Sequence, residues 1–266
     1  MKQLTGEALK EYQLNILDIV AEFCEKNGIK YWLEFGTLIG AVRHGGYIPW
    51  DDDIDIGMLR EDYDRFLASF NETNERFKVY SVENNPDFPF PFAKVFDLTT
   101  ALYEPNREIG TRLCINIDIF VFDNLPDNER TVKKMYDKRD LFRALNYKRN
   151  PTGKPKGNFF RRTLIRALQI ALKVFPKNYF NRKMAENSKK YSNTPSDNIG
   201  NFVGWKRISA PKNLLDSVID VKFEGRTYKM PVGYDEWLRL FFGDYMQLPP
   251  VEEQVTHHMY EAYIED

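Results

Sequence analysis

Histidine and cysteine are scarce in this chain, and no long apolar run interrupts it. Three histidines (His44, His257, His258) and two cysteines (Cys24, Cys114) among 266 residues are too few for a structural zinc site or a disulfide framework. Both cysteines sit in apolar segments and read as buried thiols of a cytoplasmic protein. Adjacent histidines on a helix diverge by about 100°, so His257 and His258 do not serve one metal. No run of about 18 apolar residues occurs, so nothing is expected to span a bilayer. No charged-then-apolar start marks a secretory signal. Net charge is low too, at −1, but it is unevenly spread. Between Leu141 and Ala185 there are twelve Lys or Arg and no Asp or Glu, leaving 26 basic against 39 acidic residues elsewhere. The protein reads as an acidic body with one basic segment.

What the chain does have is a core, with hydrophobics at 42% and aromatics at 15%, enough for one large domain or two small ones. Its most informative stretch runs from Gly36 to Gly57, GTLIGAVRHGGYIPWDDDIDIG. A Gly-Thr turn opens a short apolar helix that closes at Gly45-Gly46. A strand carrying alternate aspartates follows. Side chains two apart on a strand share a face, so Asp53 and Asp55 point together while Ile54, Ile56 and Met58 point the other way. Paired carboxylates repel unless a cation lies between them, which points to a divalent-metal site and not a solvated acidic edge. Free N–H groups at the Gly36-Thr37 helix start suit a phosphate.

Elsewhere the periodicity predicts helices over Glu7–Lys26, with a left-handed cap at Asn27-Gly28, and over Glu61–Phe70. Strands are predicted at Ile29–Glu34, Lys78–Val82, Phe92–Phe96, Thr100–Tyr103 and Cys114–Phe122. On the last of these, Asp118 shares a face with Asn116 and Phe120. A lone Asp in so apolar a strand is costly unless paired or metal-bound, so Asp118 is the expected third ligand. A helix from about Asp127 to Asn146 precedes the Pro/Gly/Lys loop Pro151–Asn158, expected to be mobile. Arg161–Phe175 follows as a basic amphipathic helix, either an ordinary core helix or a membrane-facing element. Tyr179–Tyr191 is predicted helical, Val221–Val232 a hairpin turning at Glu224-Gly225, and Tyr234–Phe242 a helix capped by Gly243.

The blocks FGTLIGAVRHGGYIPWDDDIDIG, PFAKVFD, NIDIFVFDNLP and YDEWLRLFFGDYMQLPP resemble the LicD family, in order, from about residue 20 to 260. The resemblance implies an α+β fold: a nucleotidyltransferase-like mixed β-sheet core with flanking helices and an additional, mainly helical segment. On that reading, residues 1–130 form the catalytic core, 131–197 the helical basic segment and 198–266 a C-terminal part packing back on the core. It also implies a phosphotransferase that moves phosphocholine from CDP-choline to a sugar hydroxyl of a cell-surface glycan or teichoic acid precursor, releasing CMP. Fukutin-type relatives move ribitol phosphate. Thr37 stands where the family usually has Ser and keeps the hydroxyl.

Phosphoryl transfer needs in-line positioning and neutralised phosphate charge, which two Mg2+ ions supply; Mn2+ is the alternative. The expected ligands are Asp53, Asp55 and Asp118. The resemblance makes Asp118 the general base as well. Gly36 and Thr37 are expected to hold the diphosphate, and Lys94 or Arg43 to offset its charge. Asp51 and Asp52 are expected in the turn or outer shell, and Asp123 in a structural role. A choline head group calls for an aromatic cage, with Tyr31, Trp32, Tyr47, Trp50, Phe88, Phe90, Phe92 and Tyr103 as candidates. The expected partners are a CDP-alcohol and a glycan acceptor, free or lipid-linked, with no nucleic acid. Peripheral contact with the inner membrane face through residues 141–185 is a further expectation. The rival readings are transfer of another CDP-linked alcohol phosphate (ethanolamine, ribitol or glycerol), a nucleotidyltransferase using the same aspartates, a glycosyltransferase with an Asp-x-Asp motif, and a non-catalytic binding subunit. An EF-hand starting at Asp51 fails, because Ile56 and Asp62 stand where Gly and Glu are needed.

Overall fold

The computed structural model describes residues 2–103, 113–151, 157–256 and 261–264. Most of the expected mobile loop Pro151–Asn158, and both His257 and His258, lie outside the described residues. Strand β1 (Lys2–Gln3) leads into α1 (Gly6–Asn27), which buries Leu14, Ile16, Leu17, Val20, Phe23 and Cys24 and ends on Gly28 at φ 59°. Strand β2 spans only Trp32–Leu33, shorter than the expected Ile29–Glu34, since its ladder with the next strand covers two residue pairs. Helix α2 (Phe35–His44) closes on Gly45 as expected. Strand β3 (Asp55–Leu59) then carries Asp55 but not Asp53. The Asp55 amide donates to Thr37 Oγ1 at 2.8 Å, and the ladder begins there.

Next come α3 (Arg60–Ser69), β4 (Phe77–Tyr80), β5 (Ala93–Asp97), β6 (Thr100–Tyr103) and β7 (Asn116–Asn124). The helical segment holds α4 (Glu129–Arg149), α5 (Phe159–Leu172) and α6 (Tyr179–Lys189). Two strands not expected from the sequence follow, β8 (Asn198–Asn201) and β9 (Ile208–Pro211). The hairpin β10 (Val218–Phe223) and β11 (Arg226–Pro231) turns at Glu224 and Gly225, with φ of 51° and 74°. Helix α7 (Tyr234–Phe242) and β12 (Glu261–Ile264) complete the chain.

The fold is α+β. Its main sheet runs β2-β3-β7-β5-β4, with β8 and β9 continuing from the end of β7. It is mixed: β3 and β7 are parallel, and the other neighbours are antiparallel. α1 and α3 pack against this sheet, and one apolar cluster runs from Leu14 to Ala262, taking in Ile199, Ile208, Phe223 and Trp237 of the C-terminal part. Both cysteines are buried thiols, as expected.

Asp123, expected to be structural, is fully buried at the far end of β7. It accepts Arg60 Nε at 2.7 Å and Nη2 at 2.9 Å, and also the Ser188 hydroxyl. That cluster joins β7, α3 and α6. Among the described residues, no helix is long and apolar enough to cross a membrane.

Candidate active site

Strand register assembles the site. Asp118 on β7 lies opposite Asp55 on parallel β3, and opposite Lys94 on antiparallel β5. Directly opposed residues share a sheet face, so acid, acid and ammonium form a row across three strands. Lys94 Nζ donates to Asp118 Oδ1, and to Asn116 Oδ1 at 2.9 Å. Lys94 is buried, with its ammonium 4.8 Å from the Phe90 ring centre and 5.2 Å from that of Phe92. Burial, then the charges of Asp53, Asp118 and Asp51, push the Asp55 carboxyl well above the usual carboxylate range; Lys94 opposes this.

The acidic loop before β3 adds three carboxylates. Asp51, Asp52 and Asp53 bring one oxygen each within 4.8 Å of one another. Gln13 of α1 secures this loop, donating to the Asp52 carbonyl at 2.9 Å and accepting from the Tyr47 hydroxyl at 3.0 Å. At the start of α2, Gly36 lets the Asp51 carboxylate approach closely: a Cβ there would lie 2.5 Å from Asp51 Oδ2, and the carboxylate would have to move. The donor set therefore suits a hard divalent cation: it offers oxygen ligands only, and it crowds negative charge that a cation would relieve.

A cavity of about 510 Å3 opens over this row. Asp53, Asp55, Asp118, Lys94 and Asn116 line it. One wall is aromatic: Phe35 meets Phe120 edge-on at 4.9 Å, Phe120 meets Phe92 at 4.8 Å, and Phe92 meets Phe90 at 6.0 Å. Phe35 sits at φ 47°, a left-handed conformation that costs a non-glycine residue energy and is held where its ring faces the cavity. A second stretch of the lining comes from α4, α6 and neighbouring loops, including Arg143, Tyr147, Lys177, Asn181, Trp205 and Lys206. Burial, then the nearby Arg139 charge, lowers Arg143 to about 10. Its side chain donates to the Gly204 and Trp205 carbonyls and stacks 5.0 Å from the Trp205 ring.

The remaining expected site residues lie off the cavity lining. Thr37 is buried, and its hydroxyl oxygen accepts the Asp55 amide N–H. Arg43 donates to the Tyr245 carbonyl at 2.6 Å and the Gln247 carbonyl at 3.4 Å, tying α2 to the C-terminal part. Trp50 packs half-buried on the core. Of the expected aromatics, Phe90 and Phe92 face the cavity. Tyr31, Trp32, Tyr47 and Phe88 are core, and Tyr103 is exposed.

The family model described as LicD/FKTN/FKRP, nucleotidyltransferase domain, matches residues 28–140. Lipopolysaccharide cholinephosphotransferase LicD of Haemophilus influenzae is 36% identical over 270 residues, which cover 99% of this chain and 100% of that protein. The chain belongs to the LicD family. Two human members match over short stretches. Ribitol 5-phosphate transferase FKRP is 58% identical over 38 residues, 14% of this chain and 8% of that protein. Ribitol-5-phosphate transferase FKTN is 32% identical over 56 residues, 21% of this chain and 12% of that protein. The matched LicD span contains Asp53, Asp55, Lys94 and Asp118, whereas the wall bearing Arg143, Lys177 and Lys206 lies beyond it.

Sequence reasoning missed Phe35, Phe120 and that basic wall. Phe120 had a signal, since it alternates onto the Asp118 face. The wall had one in the acid-free basic segment, which supplies both Arg143 and Lys177.

Proposed function

We propose that this LicD-family enzyme, a transferase of phosphate-bearing groups, moves phosphocholine from CDP-choline to a sugar hydroxyl of a cell-surface glycan or teichoic acid precursor, releasing CMP. The observation that carries the reading is the in-register row Asp55–Asp118–Lys94 at the base of a cavity with one aromatic and one basic wall. Carboxylates alone would repel a diphosphate, and an aromatic pocket alone would not react with one.

Asp53, Asp55 and Asp118 would hold magnesium, most simply two ions, with Asp51 and Asp52 beside them. Bound there, the metal offsets charge on the phosphate oxygens. The chain's own groups do the rest. The Phe35–Phe120–Phe92–Phe90 wall receives a quaternary ammonium by cation–π attraction, needing no hydrogen-bond donor. Arg143, Lys177 and Lys206 offset the charge of the diphosphate, a role the sequence had suggested for Lys94 or Arg43. Asp118 accepts the proton of the sugar hydroxyl as its oxygen bonds to the choline-bearing phosphorus. The bond from that phosphorus to the CMP oxygen then breaks. Lys94, donating to Asp118 Oδ1, holds that carboxylate in place for the proton transfer.

A thermal-shift panel of CDP-choline, CDP-ethanolamine, CDP-ribitol, CTP and UDP-sugars with magnesium tests the reading. CDP-choline should give the largest rise, and turnover should release CMP. A larger rise with CDP-ribitol would keep the chemistry and change the head group. Stabilisation by CTP alone, with pyrophosphate released, would replace the reading with nucleotidyl transfer.

A further inference from the structure

Helix α5 is apolar on the side where a surface helix should be polar. Phe159, Phe160, Leu164 and Ile170 are 76%, 82%, 67% and 69% exposed, and Val174 just beyond is 79% exposed. At about 100° per residue they fall on one continuous arc. The helix rests on α4 by another side, where Leu172 is buried and Ile165 half-buried. Arg162, Arg166 and Lys173 border the exposed arc along one edge and Arg161 along the other. No Asp or Glu occurs from Leu141 to Ala185 to offset them.

We propose that α5 docks this protein on an anionic lipid surface, its exposed apolar arc sinking to the headgroup–acyl boundary and its flanking arginines meeting lipid phosphates. A wide apolar face bordered by basic groups is the pattern of an interfacial helix, and anionic headgroups attract such groups. Charge also argues against a second copy as the occupant. A two-fold pairing of this face would set arginine borders near one another in a segment without acids. Docking would bring one side of the cavity close to the lipid. α4, on which α5 packs, contributes Arg143 and Asn146 to the lining, Asn150 follows at its C-terminal end, and the chain leaving α5 contributes Lys177 and Asn178. Asn150 Nδ2 donates to the Lys177 carbonyl at 3.0 Å, joining those two pieces. The docking itself is independent of the reaction assigned above.

The test is flotation of the full chain with vesicles of phosphatidylcholine alone and with vesicles enriched in phosphatidylglycerol. Wild type should float with the anionic vesicles only, and less as salt rises. Phe160→Ser with Leu164→Ser, and separately Arg162→Gln with Arg166→Gln, should each weaken binding about tenfold or more. Their melting temperatures, and their turnover of a soluble acceptor, should stay at wild-type values. The proposal is overturned if wild type ignores anionic vesicles or if both variants float as it does. A concentration-dependent dimer abolished by the apolar variant, with no vesicle binding, would overturn it as well.

Discussion

Lys94 on β5 and Asp118 on β7 face each other in register and are joined Nζ to Oδ1, with Asp55 next in the row on β3. The buried ammonium is thus the near counter-charge for a crowded set of carboxylates. Replacing it with a neutral chain of similar length leaves Asp118 beside Asp55 without that partner. Lys94→Met should lower turnover about a hundredfold or more and cost about 3 kcal/mol of stability in metal-free buffer. Rates of CMP release and urea unfolding check the two effects separately. An active, equally stable variant would remove Lys94 from the site.

Asp55 should behave in the opposite sense. Burial and three neighbouring carboxylates disfavour its charge, so in metal-free buffer Asp55→Asn should raise stability, by about 1 kcal/mol, while abolishing turnover. Magnesium should raise the melting temperature of wild type and leave this variant nearly unmoved. Equal magnesium shifts in both proteins would place the cation elsewhere.

The sequence carried the elements near the site further than it carried the site's limits. Alternation placed Asp118 on β7 with Asn116 and Phe120, and caps placed Gly28, Gly45 and Gly243 at helix ends. Where a feature depends on partners distant in sequence, local pattern said little. β8 reads NIGN and β9 ISAP; such short runs have no period and exist because β7 and each other supply the ladder. Arg43, in the last turn of α2, is expected with Lys94 as an alternative charge offset for the diphosphate. Its actual partners are carbonyls about two hundred residues later. Lys94 alone could not be paired with Asp118 without the register of β5 and β7.

The aromatic wall predicts selectivity. Phe92 and Phe120 line the cavity with ring centres 4.8 Å apart. Leucine keeps apolar volume and removes the π face. Phe92→Leu and Phe120→Leu should therefore raise KM for CDP-choline about fivefold to thirtyfold each, the loss of one cation–π contact. KM for a CDP-alcohol without a cation should move much less. Equal losses on both donors would assign the rings to packing alone.

Arg60 and Asp123 make a buried, two-pronged pair far from the carboxylate row in the register of β7. Asp123→Ala strands the guanidinium and should cost about 3–5 kcal/mol by urea unfolding. Adding Arg60→Met should recover part of that loss, because the second change removes the stranded charge. Turnover per folded molecule should hold near wild type in whichever variant folds. Selective loss of turnover at full stability would move Asp123 into the catalytic machinery.

Glu34 gives the protein a pH dependence outside the carboxylate row. Its carboxyl, fully buried at the start of α2, accepts the Trp32 indole N–H and, at 2.9 Å, that of Trp237. Burial outweighs those donors and raises it to about 7 from an ordinary 4.5. Between those values the folded protein holds a proton that the unfolded chain has released, so stability falls as pH rises across that window. It levels off above pH 7, where both states are ionised. The loss attributable to Glu34 should reach about 3 kcal/mol. Glu34→Gln cannot ionise, so the difference between wild-type and variant unfolding free energies should change by that amount from pH 4.5 to 7.5. Parallel curves across the window would mean that Glu34 is ionised throughout, with the two indoles compensating its burial.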